Sequence, residues 1–441
     1  MDTPICNFVK NYIKKRPARF HMPGHKGKGD LINKYDITEI NGADVLYHED
    51  GIIAKSQQNA TSLFGSLNTF YSVEGSTLSI KVMIGAVTDG ETSPLILAGR
   101  NAHKAFIYAC ALLNVEVNWL YPNNFNHLTE CDITPDLLDD VLKNSPRLPT
   151  AVYLTSPDYL GNTLNVKGLA EVCDKYNLPL IIDNAHGAYL KFLTPSMHPI
   201  DLGATMCVDS AHKTLPVITG GGYLHVANKG AKYLGAVKRL LPVFASTSPS
   251  YIIMQSLDKA NAILSSDFTK KLNYSIQKVQ DIKTALDNNK IESLLGEPLK
   301  LSVHVAKNGY TCSDFYDILR KYGIEPEFID SDYAVFMCSP FNSKSDFAKL
   351  KKALLSIQKK PSIELEKVSF VKGERAVSLK TAVFSPSVTV DVNNAVGCIA
   401  SSPTVSCPPA IPIVVSGEVI TDEHLKLFKC YNVTKISVID N

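Results

Sequence analysis

The sequence predicts an α/β protein built on a mainly parallel sheet, with a smaller α+β part after it. Three observations carry that prediction. Ala151–Thr155 and Pro179–Asp183 are short apolar runs on either side of a helical stretch, Val166–Tyr176, whose Leu169, Ala170, Cys173 and Tyr176 recur at helical spacing. Apolar strands joined by a crossover helix favour parallel pairing with both faces covered. The same alternation opens the chain, where Thr69–Val73 precedes a helical pattern through Ile80, Val82, Met83 and Ala86, and Leu95–Ala98 forms another buried run. Beyond about residue 290 the pattern becomes mixed. The expected organisation is an N-terminal arm (1–32), a large domain (33–290) and a C-terminal α+β domain (291–441).

Composition narrows the function classes. Of 441 residues 45% are apolar, enough for a sizeable core, and 45 basic against 43 acidic side chains leave a net charge of +2. That balance gives no electrostatic case for nucleic acid or an anionic membrane surface. Met1 to Cys6 lacks the basic-then-apolar pattern of a signal peptide, and no run approaches a membrane span. The ten cysteines include no CxxC pair, which favours reduced thiols over disulfides or zinc ligands. The reading is a soluble cytoplasmic protein.

Along the chain, the first thirty residues read as a basic, glycine-rich arm without a core of its own. His21 and His25 lie in it without an evident third metal ligand. Asp36 to His48 has the composition of a surface loop, and Gly51 to Leu63 reads as a helix. After the strand at 69–73, Glu74-Gly75-Ser76-Thr77 leads into a helix. Free N–H groups and hydroxyls at a helix start receive a phosphate; the alternative is a plain capped helix. His103 follows the strand at 95–98, where α/β proteins place ligand contacts, although a lone histidine there is more often structural or exposed. Val115–Leu120 is strand-like and Ile133–Leu142 helical. Asp183-Asn184-Ala185-His186-Gly187 ends an apolar run, so the Asp183 carboxylate needs a partner unless it merely caps a turn.

Ser210-Ala211-His212-Lys213-Thr214-Leu215-Pro216 lies between the run Ala204–Val208 and a glycine-rich strand, Ile218–Val226. A lysine there is desolvated, which lowers its pKa and suits it to a Schiff base with a carbonyl cofactor. Ser246 to Tyr251 is a hydroxyl-rich loop entering a helix, and 267–288 is a polar helix. Leu301–Val305, Cys312–Tyr322, Tyr333–Met337 and Lys344–Gln358 alternate strand and helix. The last eighty residues look strand-like and proline-punctuated.

Together these features describe pyridoxal 5'-phosphate (PLP). The cofactor needs a lysine, a helix N-terminus for its phosphate, a carboxylate beside its ring nitrogen and a side chain over its ring face. Lys213, Gly75-Ser76-Thr77, Asp183 and His103 meet those needs.

The chain resembles the Orn/Lys/Arg decarboxylase family of fold-type I PLP enzymes, in its short form. The resemblance rests on Phe20 to Gly27, Asp36 to Asp44, Asp183 to Gly187, Ser210 to Pro216, Ser246 to Tyr251, Gly323 to Glu327, and the stretch from Pro408 to Glu418. It implies an aspartate-aminotransferase-type fold whose large domain binds PLP. By resemblance Lys213 holds the cofactor and moves a proton, Asp183 pairs with the ring nitrogen, and His103 stacks on the ring. Ser76, Thr77, Ser210 and His212 hold the phosphate, with Ser246 or Thr247 reaching it from a partner subunit of a homodimer. His186 lies near the ring oxygen and the substrate carboxylate. Four features depart from the family pattern: Glu74 in place of Asn, Asn184 in place of Glu or Ser, Gly220-Gly221-Gly222 in place of a bulkier run, and Cys407 in place of Tyr.

The implied activity is decarboxylation of a basic amino acid in polyamine metabolism. Arginine to agmatine comes first, then lysine to cadaverine or ornithine to putrescine. An aminotransferase or β-lyase on the same fold is the alternative, and a non-catalytic paralogue that binds or regulates is a further one. No membrane or nucleic-acid partner is expected, nor a metal.

Overall fold

The structure, a computed structural model, describes residues 1–122, 127–365, 371–405 and 410–440. The chain begins with α1 (Pro4–Lys14), α2 (Ile52–Phe64), β1 (Asn68–Ser72), α3 (Gly75–Val87), β2 (Leu95–Gly99), α4 (Lys104–Leu113), β3 (Glu116–Leu120) and α5 (Pro135–Lys143). It continues through β4 (Ala151–Thr155), α6 (Val166–Lys175), β5 (Leu180–Asp183), β6 (Met206–Asp209), α7 (Ala211–Thr214) and β7 (Gly222–Val226). Three helices follow, α8 (Leu234–Phe244), α9 (Tyr251–Leu264) and α10 (Phe268–Asn288). Then come β8 (Lys300–His304), α11 (Cys312–Lys321), β9 (Phe328–Ile329), β10 (Tyr333–Met337), α12 (Lys344–Leu355) and α13 (Leu379–Phe384). The chain closes with β11 (Ser387–Asp391), β12 (Thr404–Val405), β13 (Pro412–Val414), α14 (Asp422–Cys430) and β14 (Lys435–Ile439).

Two compact units result: residues 1–91, 150–154 and 165–270 form one, and residues 92–149, 155–164 and 271–441 the other. Both are discontinuous in sequence.

In the first unit the strand order is β1-β7-β6-β5-β4. β7 runs antiparallel to both β1 and β6, and β6 runs parallel to β5. The register pairs Ser72 with Gly222, Asp209 with Tyr223, and Asp183 with Val208. The C-terminal ends of β1, β5 and β6 and the start of β7 therefore share one edge of the sheet. Ligands of open α/β sheets bind at that edge. Near-continuous apolar strands such as Leu180-Ile181-Ile182 are buried as a two-sided sheet requires.

The basic N-terminal arm is not coreless. α1 buries Ile5 and Val9 completely and packs on α2 and α9. Two such side chains contribute about 1.5–3 kcal/mol each, and Pro4 opens the helix where its missing N–H costs nothing.

The second unit holds the parallel pair β2–β3, the antiparallel sheet β8-β10-β9, and the pairs β11–β14 and β12–β13. Its C-terminal core gathers Ile411, Ile413, Leu427, Phe428, Ile436 and Val438. The expectation of a strand-like final stretch is incomplete, because α13 and α14 both form there. Thr421 and His424 close a capping box that starts α14 despite low apolar content. Cys407, with the two prolines after it, lies outside the described residues. Among the described residues no helix is long and apolar enough to cross a membrane.

Candidate active site

The site is built from three strand ends. β6 stops at Asp209, and the chain turns into the four-residue α7, which carries His212 and Lys213. β5 stops at Asp183, and the following turn presents His186. β1 stops at Ser72, and Glu74 leads into α3.

Lys213 Nζ lies 3.1 Å from His186 Nε2, so the two turns meet. Asp183 is 3% exposed. Its Oδ1 accepts the Ala185 N–H at 3.1 Å, and its Oδ2 accepts the Tyr153 hydroxyl at 3.1 Å. Burial pushes its pKa up, and the nearby Lys213 charge is the strongest influence holding it down. This is a desolvated carboxylate that caps its own turn through the Ala185 N–H and has the Lys213 cation as its chief electrostatic partner.

The start of α3 answers the question of capping. Its N-cap residue is Glu74, whose side chain makes no cap hydrogen bond. Glu74 Oε1 instead accepts the Ser246 N–H at 2.7 Å, drawing the hydroxyl-rich loop to this chain's own helix start. Ser210 Oγ donates to Ser76 Oγ at 2.9 Å, so two of the expected phosphate ligands converge. Gly75 has φ +68°, and a Cβ built on it meets nothing within 4 Å. Its N–H donates to Gly220 O at 2.7 Å.

The glycine run after the lysine has a steric reason. A Cβ on Gly222 would lie 2.9 Å from Asp209 O and 3.3 Å from Gly75 C, so β7 passes the helix start only without a side chain there. His212 is fixed by the same run, its Nδ1–H donating to Gly221 O at 2.9 Å. Burial lowers the His212 pKa, against the opposing pull of that carbonyl. Thr77 and Thr247 are exposed. His103 belongs to the second unit, where its Nδ1 accepts the Ala105 N–H at 3.1 Å and caps α4.

Four residues of this region escaped the sequence reading: Tyr153, Asp209, His198 and His225. Asp209 Oδ2 accepts from Nε2 of His198 and of His225, each at 3.1 Å, and its Oδ1 accepts from Asn184 Nδ2 at 2.7 Å. His198, Cys207 and Asp209 are also close enough to form a metal-type group. His21 and His25 do not converge. His21 contacts the Tyr12 hydroxyl at 2.5 Å, and His25 pairs with Asp36 at 3.1 Å.

The pattern described as the major domain of Orn/Lys/Arg decarboxylases matches residues 3–297. The chain belongs to the Orn/Lys/Arg decarboxylase family. It is similar to the uncharacterized protein YaaO of Bacillus subtilis, at 29% identity over 97% of this chain and 93% of that one. It is also similar to the arginine decarboxylase of Halalkalibacterium halodurans, at 28% identity over 96% of this chain and 92% of the relative. Among solved structures, the lysine decarboxylase LdcF of Francisella novicida superposes with a TM-score of 0.83. That match covers 99% of this chain and 81% of the other at 16% identity, a likeness of fold. The α/β architecture is thus that of this decarboxylase family and of fold-type I PLP enzymes, and the chain is an enzyme of the decarboxylase class acting on basic amino acids.

Proposed function

We propose that this decarboxylase uses pyridoxal 5'-phosphate held on Lys213, and that its first substrate is arginine, released as agmatine. Lysine and ornithine follow as candidates, and the reaction belongs to polyamine metabolism. The observation that carries the reading is the meeting of Lys213 with His186 and with the buried Asp183 carboxylate at one sheet edge. The relatives named arginine decarboxylase support the order of substrates.

The residues present fit the cofactor. The α3 start is uncapped by a side chain and flanked by the Ser76–Ser210 hydroxyls, which suits a phosphate. Buried Asn184 Oδ1 and Thr214 Oγ1, each one residue beyond Asp183 or Lys213, have no hydrogen-bond partner among the described residues. Buried polar atoms are rarely left so unless a ligand satisfies them.

When bound, PLP supplies an electron sink for the pair released as the substrate carboxylate leaves as CO2. Lys213 anchors the cofactor and returns a proton to the substrate carbon. Asp183 holds a proton at the ring nitrogen. His103 covers the ring face, and His186 orients the substrate carboxylate. Gly75, Ser76, Thr77, Ser210 and His212 hold the phosphate, helped by Ser246 or Thr247 of a partner subunit in a homodimer. Orientation selects the bond that breaks. The division into an arm (1–32), a PLP-binding domain (33–290) and an α+β domain (291–441), and a cytoplasmic setting, belong to the same proposal.

The test is to offer arginine, lysine and ornithine separately to the purified protein with added PLP and to follow CO2 and amine. Release of CO2 with agmatine from arginine, lost in Lys213→Ala, is the expected result. Keto acid without CO2 would replace it with the aminotransferase reading, and no turnover of any of the three with the non-catalytic one.

A further inference from the structure

The Asp209 cluster has a definite protonation pattern. The Ile200 N–H donates to His198 Nδ1 at 3.4 Å, and Thr69 Oγ1 lies 2.8 Å from His225 Nδ1. Each ring thus turns an Nε2–H toward Asp209 Oδ2. The Asn184 amide donates to the other oxygen. Three N–H donors surround one carboxylate, and all four residues are buried.

Donors of this kind favour the ionised acid. Burial works to raise the Asp209 pKa, but His198 and His225 outweigh it and hold the carboxyl well below the usual range. Burial also lowers the His225 pKa, which keeps that ring neutral. The other titratable groups facing the cluster add little charge. Cys207 and Tyr223 are pushed up by burial and keep their protons. Lys191 and Asp201 neutralise each other at 2.6 Å.

The cluster also joins the two reactive turns. Asn184, whose side chain donates to Asp209, follows Asp183, and its backbone N–H donates to Val208 O at 2.9 Å. Asp209 in turn precedes Ser210, which leads to Lys213. A charge in a low-dielectric interior is felt by its neighbours far more than one in water.

We infer that Asp209 is a positioning residue whose caged negative charge fixes the ends of β5 and β6 and raises the proton affinity of the groups assembled at Asp183 and Lys213. The inference rests on the proposal that PLP binds Lys213. It assigns His198 and His225 the task of holding the carboxylate in place through their Nε2–H groups.

The experiment uses the full-length protein reconstituted with PLP and reads the pH midpoint of the Lys213-dependent visible absorbance band. Removing a nearby negative charge disfavours the protonated form, so Asp209→Asn lowers the midpoint by about one pH unit. His198→Gln, which keeps an amide donor and the Asp209 charge, leaves the midpoint where it is in wild type. A midpoint unchanged in Asp209→Asn would overturn the inference, because a purely structural role alters stability alone. If Asp209→Asn does not fold, nitrogen-15 histidine NMR of the wild-type protein decides. A neutral Nε2–H ring at His225 from about pH 7 to 8 is expected, and a doubly protonated His225 in that range would sink the idea. Absence of any Lys213-dependent band in wild type would instead defeat the cofactor proposal itself.

Discussion

Glu297→Gln offers a test of the second unit's electrostatics. Glu297 is 4% exposed, and burial pushes its pKa from 4.5 to about 7 against the opposing charge of Lys300. Asp158 beside it is pushed to about 6, again by burial first. The Asp158 carboxyl and the Glu297 backbone pin the loop after β4. Asp158 Oδ1 accepts the Gly161 and Asn162 N–H groups at 2.8 and 2.9 Å, while the Glu297 N–H donates to Gly161 O at 2.7 Å. Because the folded pKa of Glu297 is raised, its contribution to stability is complete below pH 4.5 and is lost as pH rises through about 7. The shift corresponds to about 3 kcal/mol. Glutamine cannot ionise, so wild type should lose about 3 kcal/mol more than Glu297→Gln between pH 4.5 and 8. Trp119, the chain's single tryptophan, lies in the same unit and reports urea denaturation there by fluorescence. Parallel pH slopes for the two proteins would refute the reasoning.

Two further outcomes follow from the site. Asp183→Asn should retain the PLP band yet lower kcat by roughly 10²- to 10⁴-fold, because breaking a buried charge pair costs about 3–5 kcal/mol; steady-state CO2 release checks it, and a loss under tenfold would contradict the assigned role. Gly222→Ala puts a Cβ 2.9 Å from Asp209 O, and backbone has little room to give. An overpacking cost of about 1–3 kcal/mol should weaken PLP binding roughly 5- to 150-fold, read by fluorescence titration, and unchanged affinity would count against the close approach.

The parts of the fold that follow local pattern were legible. The strand–helix–strand text at 151–183 became β4, α6 and β5, and Thr134-Pro135 began α5 with Thr134 as its cap. Lys213 and Asp183 stand out in the sequence because Asp183 ends an apolar run and Lys213 follows one, each within a distinctive motif. α1 was obscured by the basic residues after it, although Ile5, Val9 and Tyr12 have helical spacing. His198 and His225 could not be assigned, since nothing local links residues 11 before and 16 after Asp209. Register across β6 and β7 brings His225 and Cys207 level, and only that pairing reveals the cluster. The Asp158–Glu297–Lys300 group is hidden for the same reason, since Asp158 lies far in sequence from Glu297 and Lys300. Glu74 departs from the family's Asn, and its hydrogen bond to the Ser246 backbone could not be foreseen from composition.

The central claim is that Lys213 carries the cofactor. The direct measurement is borohydride reduction of the PLP-loaded protein followed by peptide mapping with mass spectrometry. The account predicts a pyridoxyl phosphate modification on Lys213 and none in Lys213→Ala. Modification at another lysine, or no covalent attachment at all, would contradict it.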